Sequence, residues 1–451
     1  MGYANVSILD FVLLPFYLSF IYAIAYNIRY KFYPASHPWR KYFLPALTVK
    51  IIGAVLIGLI YTYYYNGGDT FNYFNQAQII NSALDESITT WLNLLFHIPG
   101  NDNGYYYEYI NNLEFYTDPA SYAVVSITAV ISLLTFNTYL PAAVLFAFIS
   151  FSGIWALFRT FAKLYPHLLT PIAVAALFIP SVFIWGSGIF KDTVCMFALG
   201  WLTYSTFRFL VVRDASFRNI IICVLSFILI SSVKLYILLG FIPALGMWVL
   251  FNYSHKIKNT GAKLLVKLFF IGITIAGFLF FMQRFGENLG KYSLEKIAET
   301  SQTTGRYLYY ISGDEGSSYS LGNFDPTIGS MITLFPAAVN VTFFRPYFWE
   351  SKKILVLFSA IEAFLFLFLT IKILLKVGIV KIWQTISNDP TIQFCLIFSI
   401  IFAFAVGISS YNFGTLSRYK IPCMPFYVIA VVLIYYKNYP LKNKLFKPLN
   451  I

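Results

Sequence analysis

Residues 43–64 read FLPALTVKIIGAVLIGLIYTYY, 22 positions that hold one charge, Lys50. As a helix rising about 1.5 Å per residue, such a run covers the roughly 30 Å of hydrocarbon in a bilayer. Runs of the same character lie near 11–27, 138–158, 168–185, 193–211, 219–233, 235–252, 264–283, 354–371, 391–407 and 423–436. A weaker run at 119–136 opens on Asp118-Pro119 and holds Ser121, Ser126 and Thr128. The pattern predicts an all-α polytopic helical membrane bundle of 11 to 12 spans, forming one integral membrane domain over residues 1–451.

Composition points the same way. Of 451 residues, 59% are hydrophobic, 20% aromatic and 11% charged, against about 25% charged in soluble domains. The apolar excess arrives in separate runs and so does not form one large soluble core. The net charge of +13 lies in the loops between runs, where it marks topology and gives no sign of a nucleic-acid partner. Cys195, Cys223, Cys395 and Cys423 sit in or beside apolar runs without CxxC spacing, which argues against a disulfide framework or a zinc site. The first run follows acidic Asp10 rather than a basic stretch and has no small-residue cleavage site after it, so it reads as a retained span.

Lysine and arginine are held on the cytoplasmic side of short loops. Twenty of the 32 basic residues fall in six stretches: Arg29 to Lys41, Arg159 with Lys163, Arg208 to Arg218, Lys256 to Lys267, Lys372 to Lys381, and Lys437 to Lys447. Only Asp214 and Asp389 accompany them as acids. Residues 65–118 carry seven acids and no Lys or Arg, which places them outside. A second outer segment, 284–353, holds seven residues of each sign. Opposite sides for 65–118 and Arg159 require an odd number of crossings between them. The run 119–136 is therefore expected to be interfacial or re-entrant, with the N-terminus outside; the alternative is that Arg159 and Lys163 lie outside.

On that topology several ionisable residues collect at the outer face: Asp69 in Gly67-Gly68-Asp69-Thr70, Lys191 and Asp192 in the turn after Ser187-Gly188, Lys234 between two apolar runs, Arg345 before Pro346, and Arg418 and Lys420 around Tyr419. Each has a structural reading too. Asp69 can cap a helix beginning at Thr70, Lys191 can snorkel to headgroups, and Arg345 and Arg418 can anchor interfacial helices beside Phe344, Tyr347, Trp349 and Tyr419. Lys234 has no acidic neighbour in sequence, and intramembrane cations are functional candidates by default. Glu362 reads as the buried partner of a polar neighbour, and Lys50 as a lysine that snorkels to the inner interface.

His37, His97, His167 and His255 are scattered without metal-ligand spacing, and no nucleotide-binding loop or nucleophile elbow occurs, so no cofactor and no metal are expected. Cytoplasmic loops are short, leaving no soluble domain for a nucleotide-sugar. A carboxylate beside several cations at the outer surface suits a donor that arrives through the bilayer, a polyprenyl phosphate or pyrophosphate. The cations hold phosphate while the carboxylate takes a proton from the attacking hydroxyl.

Asp69 with Tyr73 and Ala77, Pro180-Ser181 with Ser187 and Lys191-Asp192, and Arg418-Tyr419 with Pro422 and Pro425 resemble, in order, the first-loop acidic motif, a middle-span motif and the last-span ending of the GT-C superfamily of multispanning glycosyltransferases. Arg345-Pro346 with Trp349-Glu350 and Glu362 resembles bacterial exopolysaccharide-assembly membrane proteins. In this chain an additional span precedes the acidic loop, and Asp69 lacks a paired acid beside it.

The resemblance implies a multi-pass protein of the bacterial inner membrane that transfers a sugar from a lipid-linked donor to a glycan or lipid acceptor. Asp69 would be the catalytic base, and Lys191, Asp192, Lys234, Arg345, Arg418 and Lys420 would bind substrate. Membrane lipids are the surrounding partners and no nucleic acid is expected. An O-antigen-polymerase-like enzyme is the near alternative, and a secondary transporter the non-enzymatic one.

Overall fold

The computed structural model describes residues 6–99, 104–254, 296–312, 317–322 and 325–440, with short pieces between 261 and 277. Most of the expected span 264–283, the outer residues 284–295, and Lys256, Lys258, Lys263, Lys267, Lys442, Lys444 and Lys447 lie outside the described residues.

In chain order the helices are α1 Ile8–Phe32, α2 Arg40–Tyr63, α3 Asp69–Ser82, α4 Ile88–Leu95, α5 Gly104–Asn112, α6 Pro119–Leu133, α7 Tyr139–Leu164, α8 Leu169–Leu177, α9 Pro180–Trp185 and α10 Lys191–Leu210. They continue as α11 Phe217–Ser254, α12 Ile297–Ser312, α13 Ile328–Thr333, α14 Phe335–Phe344, α15 Ile354–Val377, α16 Ile379–Asn388, α17 Pro390–Ser410, α18 Phe413–Tyr419 and α19 Met424–Asn438. Among the described residues there is no strand beyond an isolated bridge between Ser318 and Asn412. The protein is an all-α polytopic membrane protein. Among the described residues six helices, α1, α2, α7, α11, α15 and α17, are long and apolar enough to cross, and α18 with α19, bent by 70°, can make a seventh as one broken span.

The apolar runs do not all become separate straight helices. Runs 219–233 and 235–252 are the two arms of α11, whose 38 residues are interrupted at Lys234, with φ −145° and ψ 76°. Unbroken, such a helix would reach about 57 Å, nearly twice the hydrocarbon thickness. Run 168–185 divides into α8 and α9, and run 119–136 becomes the 15-residue α6, about 22 Å long and too short to cross alone.

The chain packs as two compact units, residues 1–164 with 182–235, and residues 165–181 with 236–451. In the first unit Ser7 and Asp10 form a capping box at the start of α1. The second oxygen of Asp10 accepts the Leu140 amide at 2.7 Å, satisfying one of the orphan donors at the start of α7. Helices α7 and α10 cross with their backbones in contact. A Cβ at Gly153 would stand 2.2 Å from the Phe197 carbonyl oxygen, and one at Gly200 would stand 1.9 Å from that of Gly153. Small residues permit this approach in lipid, where close packing replaces the hydrophobic effect as the driving force.

In the second unit Asp389 caps α17, accepting the amides of Thr391 at 2.8 Å and Ile392 at 3.1 Å. The same carboxylate takes the Tyr165 hydroxyl at 2.8 Å and Lys437 at 2.5 Å. One buried acid thus ties the start of α17 to α19 and to the chain entering α8.

Candidate functional site

In the first unit Tyr61 touches two segments expected to carry chemistry. Gly67 and Gly68 turn the chain with φ of +134° and +123°, conformations that disfavour side chains. A Cβ at Gly68 would lie 2.8 Å from the Tyr61 ring. The same ring meets Phe190, centroid to centroid at 5.6 Å. Asp69 follows Gly68 and Lys191 follows Phe190, so the packing brings the acidic turn and the start of α10 to the same aromatic residue.

Asp69 is exposed and is the first residue of α3, one position after the N-cap Gly68. The helix thus begins one residue earlier than Thr70, with Asp69 inside its first turn and Gly68 as the N-cap. At that position its charge is favoured by the helix dipole.

Asp192, in the first turn of α10, is fully buried, and its Oδ1 accepts Lys234 Nζ at 2.5 Å. The lysine that lacks an acidic neighbour in sequence thus has one in space, and it sits where α11 departs from helical geometry. A buried ammonium is tolerable only with such a partner. Lys191 Nζ lies 3.3 Å from Asp118 Oδ2, so its side chain does more than snorkel. Asp118 also caps α6 through the Ala120 amide at 3.2 Å and takes the Ser121 hydroxyl at 2.5 Å. Burial pushes the Asp118 carboxyl up, but the Ser121 hydroxyl, the Lys191 charge and the Ala120 amide outweigh it and hold the group below the usual carboxylate range.

Lys50 departs from expectation. It lies about 15 Å along α2 from Arg40 and is 1% exposed. Its Nζ donates to Ser150 Oγ at 3.0 Å and to the Gly186 carbonyl. It does not snorkel, because the Ser150 hydroxyl on α7 and the Gly186 carbonyl at the C-terminal end of α9 meet its charge inside the protein.

In the second unit one face of α18 and its C-cap carries three contacts at a spacing of four and three residues. Phe413 lies under the Arg345 guanidinium at 5.6 Å, Ser417 donates to Ser359 at 2.8 Å, and Lys420 Nζ stands 3.9 Å from Glu362 Oε1. Glu362 Oε2 accepts the Ser181 amide at 2.7 Å. Lys420, Glu362 and Ser181 are all buried, and Lys420 Nζ, Glu362 Oε1 and Ser181 Oγ have no hydrogen-bond partner among the described residues. Arg345 is held by Glu350 through its Nε at 3.0 Å and its Nη2. Arg418, on the same short helix, is half-buried.

The expected site residues thus divide between the units: Asp69, Lys191, Asp192 and Lys234 in the first, and Arg345, Arg418 and Lys420 in the second. No family model, curated protein or solved structure matches the chain. Among the described residues no three His, Cys, Asp or Glu side chains are grouped to hold a metal ion.

Sequence reasoning did not assign roles to Asp118 beside Lys191 or to Ser150 and Gly186 around Lys50. For Asp118 a signal existed, since Asp before Pro opening an apolar run is a cap pattern. For Ser150 and Gly186 no local signal exists.

Proposed function

We propose that the chain is a membrane glycosyltransferase of GT-C type that transfers a sugar from a polyprenyl-phosphate-linked donor at the extracytoplasmic face, in polysaccharide or cell-envelope glycan assembly. The observation that supports this most is the meeting of the Asp69 turn and the Lys191-Asp192 helix start across Tyr61, with Lys234 drawn in by Asp192. Lys191 pairs with a half-exposed Asp118, a partner that a donor phosphate can displace. Lys234 is held by Asp192 at the same helix start, where it adds positive potential without being free to move.

In the transfer the acceptor hydroxyl oxygen forms a bond to the anomeric carbon as the bond from that carbon to the phosphate oxygen breaks. The departing phosphate keeps the electron pair and is stabilised by the lysines, and Asp69 receives the hydroxyl proton. Asp69→Asn keeps the size of the side chain and removes the proton acceptor. Polysaccharide synthesis should fall by about 10²- to 10⁴-fold while the amount of protein in the membrane holds. Wild-type synthesis by that variant would overturn the assignment of Asp69.

A secondary transporter is the second reading. It is favoured by interrupted helices with buried cations against them, Lys50 of α2 at the carbonyl that follows α9, Lys234 within α11 and Lys420 between α18 and α19; discontinuous helices form the substrate sites of many transporters. Mass spectrometry of co-purified molecules separates the two. Polyprenyl phosphate supports the enzyme, and a bound small solute without it supports transport.

A further inference from the structure

We infer that the inner end of the first unit holds a site for the phosphate of an anionic phospholipid, centred on Arg159 and bordered by Lys163 and Arg208. The inference does not depend on the chemistry proposed at the outer face. Arg159 lies in the last two turns of α7. Its Nη2 donates to the Tyr204 hydroxyl at 2.5 Å, and its guanidinium carbon lies 4.4 Å from the centre of that ring. Arg208, one turn further along α10, donates to the same hydroxyl from Nη1 at 3.2 Å. Two guanidinium groups therefore meet on one phenol oxygen, and their mutual repulsion calls for an anion.

Arg208 has its anion in Asp214, whose Oδ2 takes its Nε at 2.7 Å. Arg159 has no carboxylate partner among the described residues, and its Nε is buried without a hydrogen bond. Lys163 is one turn away on the same helix face, and its charge reaches Tyr204. The charge of Arg159 also reaches Tyr33 and His37, and Arg40 donates to the Tyr33 carbonyl at 2.6 Å. The inner-side segments of this unit hold nine cations, Arg29, Lys31, Arg40, Lys41, Arg159, Lys163, Arg208, Arg213 and Arg218, against the single acid Asp214.

The rule that basic residues stay inside accounts for their number. It does not account for an arginine turned inward onto a phenol with one nitrogen dry. The second unit makes the contrast, because its inner-side Lys437 is matched by Asp389 at 2.5 Å.

A phosphodiester oxygen supplies what is missing, a monoanionic acceptor suited to a guanidinium fork. The surroundings favour lipid as its source. Tyr33, Trp39 and Trp155 pack on one another as the buried wall beside the site. Phe209 and Val211, just beyond Arg208, are 49% and 46% exposed and offer an apolar surface to acyl chains. Basic pockets between helices at the cytoplasmic side are sites of this kind.

The test uses the full chain purified in neutral detergent and mixed with dioleoyl phosphatidylglycerol, dioleoyl phosphatidylcholine or inorganic phosphate. Native mass spectrometry should show phosphatidylglycerol retained in preference to phosphatidylcholine, with an accompanying rise in melting temperature. Arg159→Gln should lower that preference by about tenfold, the loss of one charge-assisted phosphate contact, and Arg159→Lys should restore part of it. If Arg159→Gln fails to fold, Lys163→Gln decides by the same ratio. Equal retention of the two lipids, or an unchanged ratio in the folded variant, would overturn the site. Stabilisation by inorganic phosphate alone that displaces phosphatidylglycerol would overturn its assignment to lipid.

Discussion

The ammonium of Lys234 lies 2.5 Å from the carboxylate of Asp192, a residue with no exposure at all, and the two sit at a break in α11 and at the start of α10. Removing one member of such a pair leaves a buried charge without a partner, whereas removing both does not. Lys234→Met should therefore cost about 3–5 kcal/mol, seen as loss of folded protein in detergent melts. Lys234→Met combined with Asp192→Leu should recover most of it. Under the proposed function the double variant folds and still fails to make polysaccharide. A double variant no more stable than Lys234→Met alone would remove the pairing from the account.

The crossing of α7 and α10 is set by Gly153 and Gly200. A methyl at Gly153 meets backbone, which cannot rotate away, so Gly153→Ala should destabilise the protein by about 1–3 kcal/mol. Gly329→Ala, where nothing lies within 4 Å of the added atom, should leave the melting temperature unchanged. Equal effects would mean that the close contact does not govern stability.

His37 gives a pH dependence with a definite sign. Burial, and then the charge of Arg159, lower its pKa below the ordinary imidazole value, and its Nδ1 accepts the Trp39 amide at 3.2 Å, which requires that nitrogen to be unprotonated. In the unfolded chain His37 binds a proton near pH 6.5, so between the two pKa values the unfolded state holds more protons. The contribution is complete above about pH 6.5 and is lost as pH falls through the folded value. Melting temperature should drop on acidification below about pH 6.5, and His37→Gln should flatten that part of the profile. An unchanged slope would rule out His37 as the titrating group.

Sidedness is open to labelling. Cys223 is half-exposed and the other three cysteines are buried, so a Cys223→Ser background leaves little reaction of its own. A cysteine replacing exposed Glu86 should react with an impermeant reagent from outside, and one replacing exposed Ala215, beside Arg213 and Arg218, should not. Reversed labelling would put the basic loops outside, and equal labelling would require an even number of crossings between the two positions.

The class of structure is legible in the residues alone. Runs near 20 apolar residues have one economical solution in a bilayer, a helix that satisfies its own backbone, and the distribution of Lys and Arg sets the expected orientation. The sequence also marked Asp69, Lys191, Lys234 and Lys420 as charges that a membrane protein must account for. What it could not supply was their partners, because desolvation requires a buried charge to be met but does not say by which residue. Lys234 finds Asp192 across 42 positions, Arg159 finds Tyr204 across 45, and Glu362 finds the Ser181 amide across 181. Lys50 finds a carbonyl at the end of α9 in place of water. These meetings depend on which helices touch and at what depth, and contacts such as Gly153 against Gly200 set that through close packing. Hydropathy is blind to this packing. It is equally blind to the break at Lys234, where α11 leaves helical geometry at the residue whose ammonium meets a carboxylate on another helix.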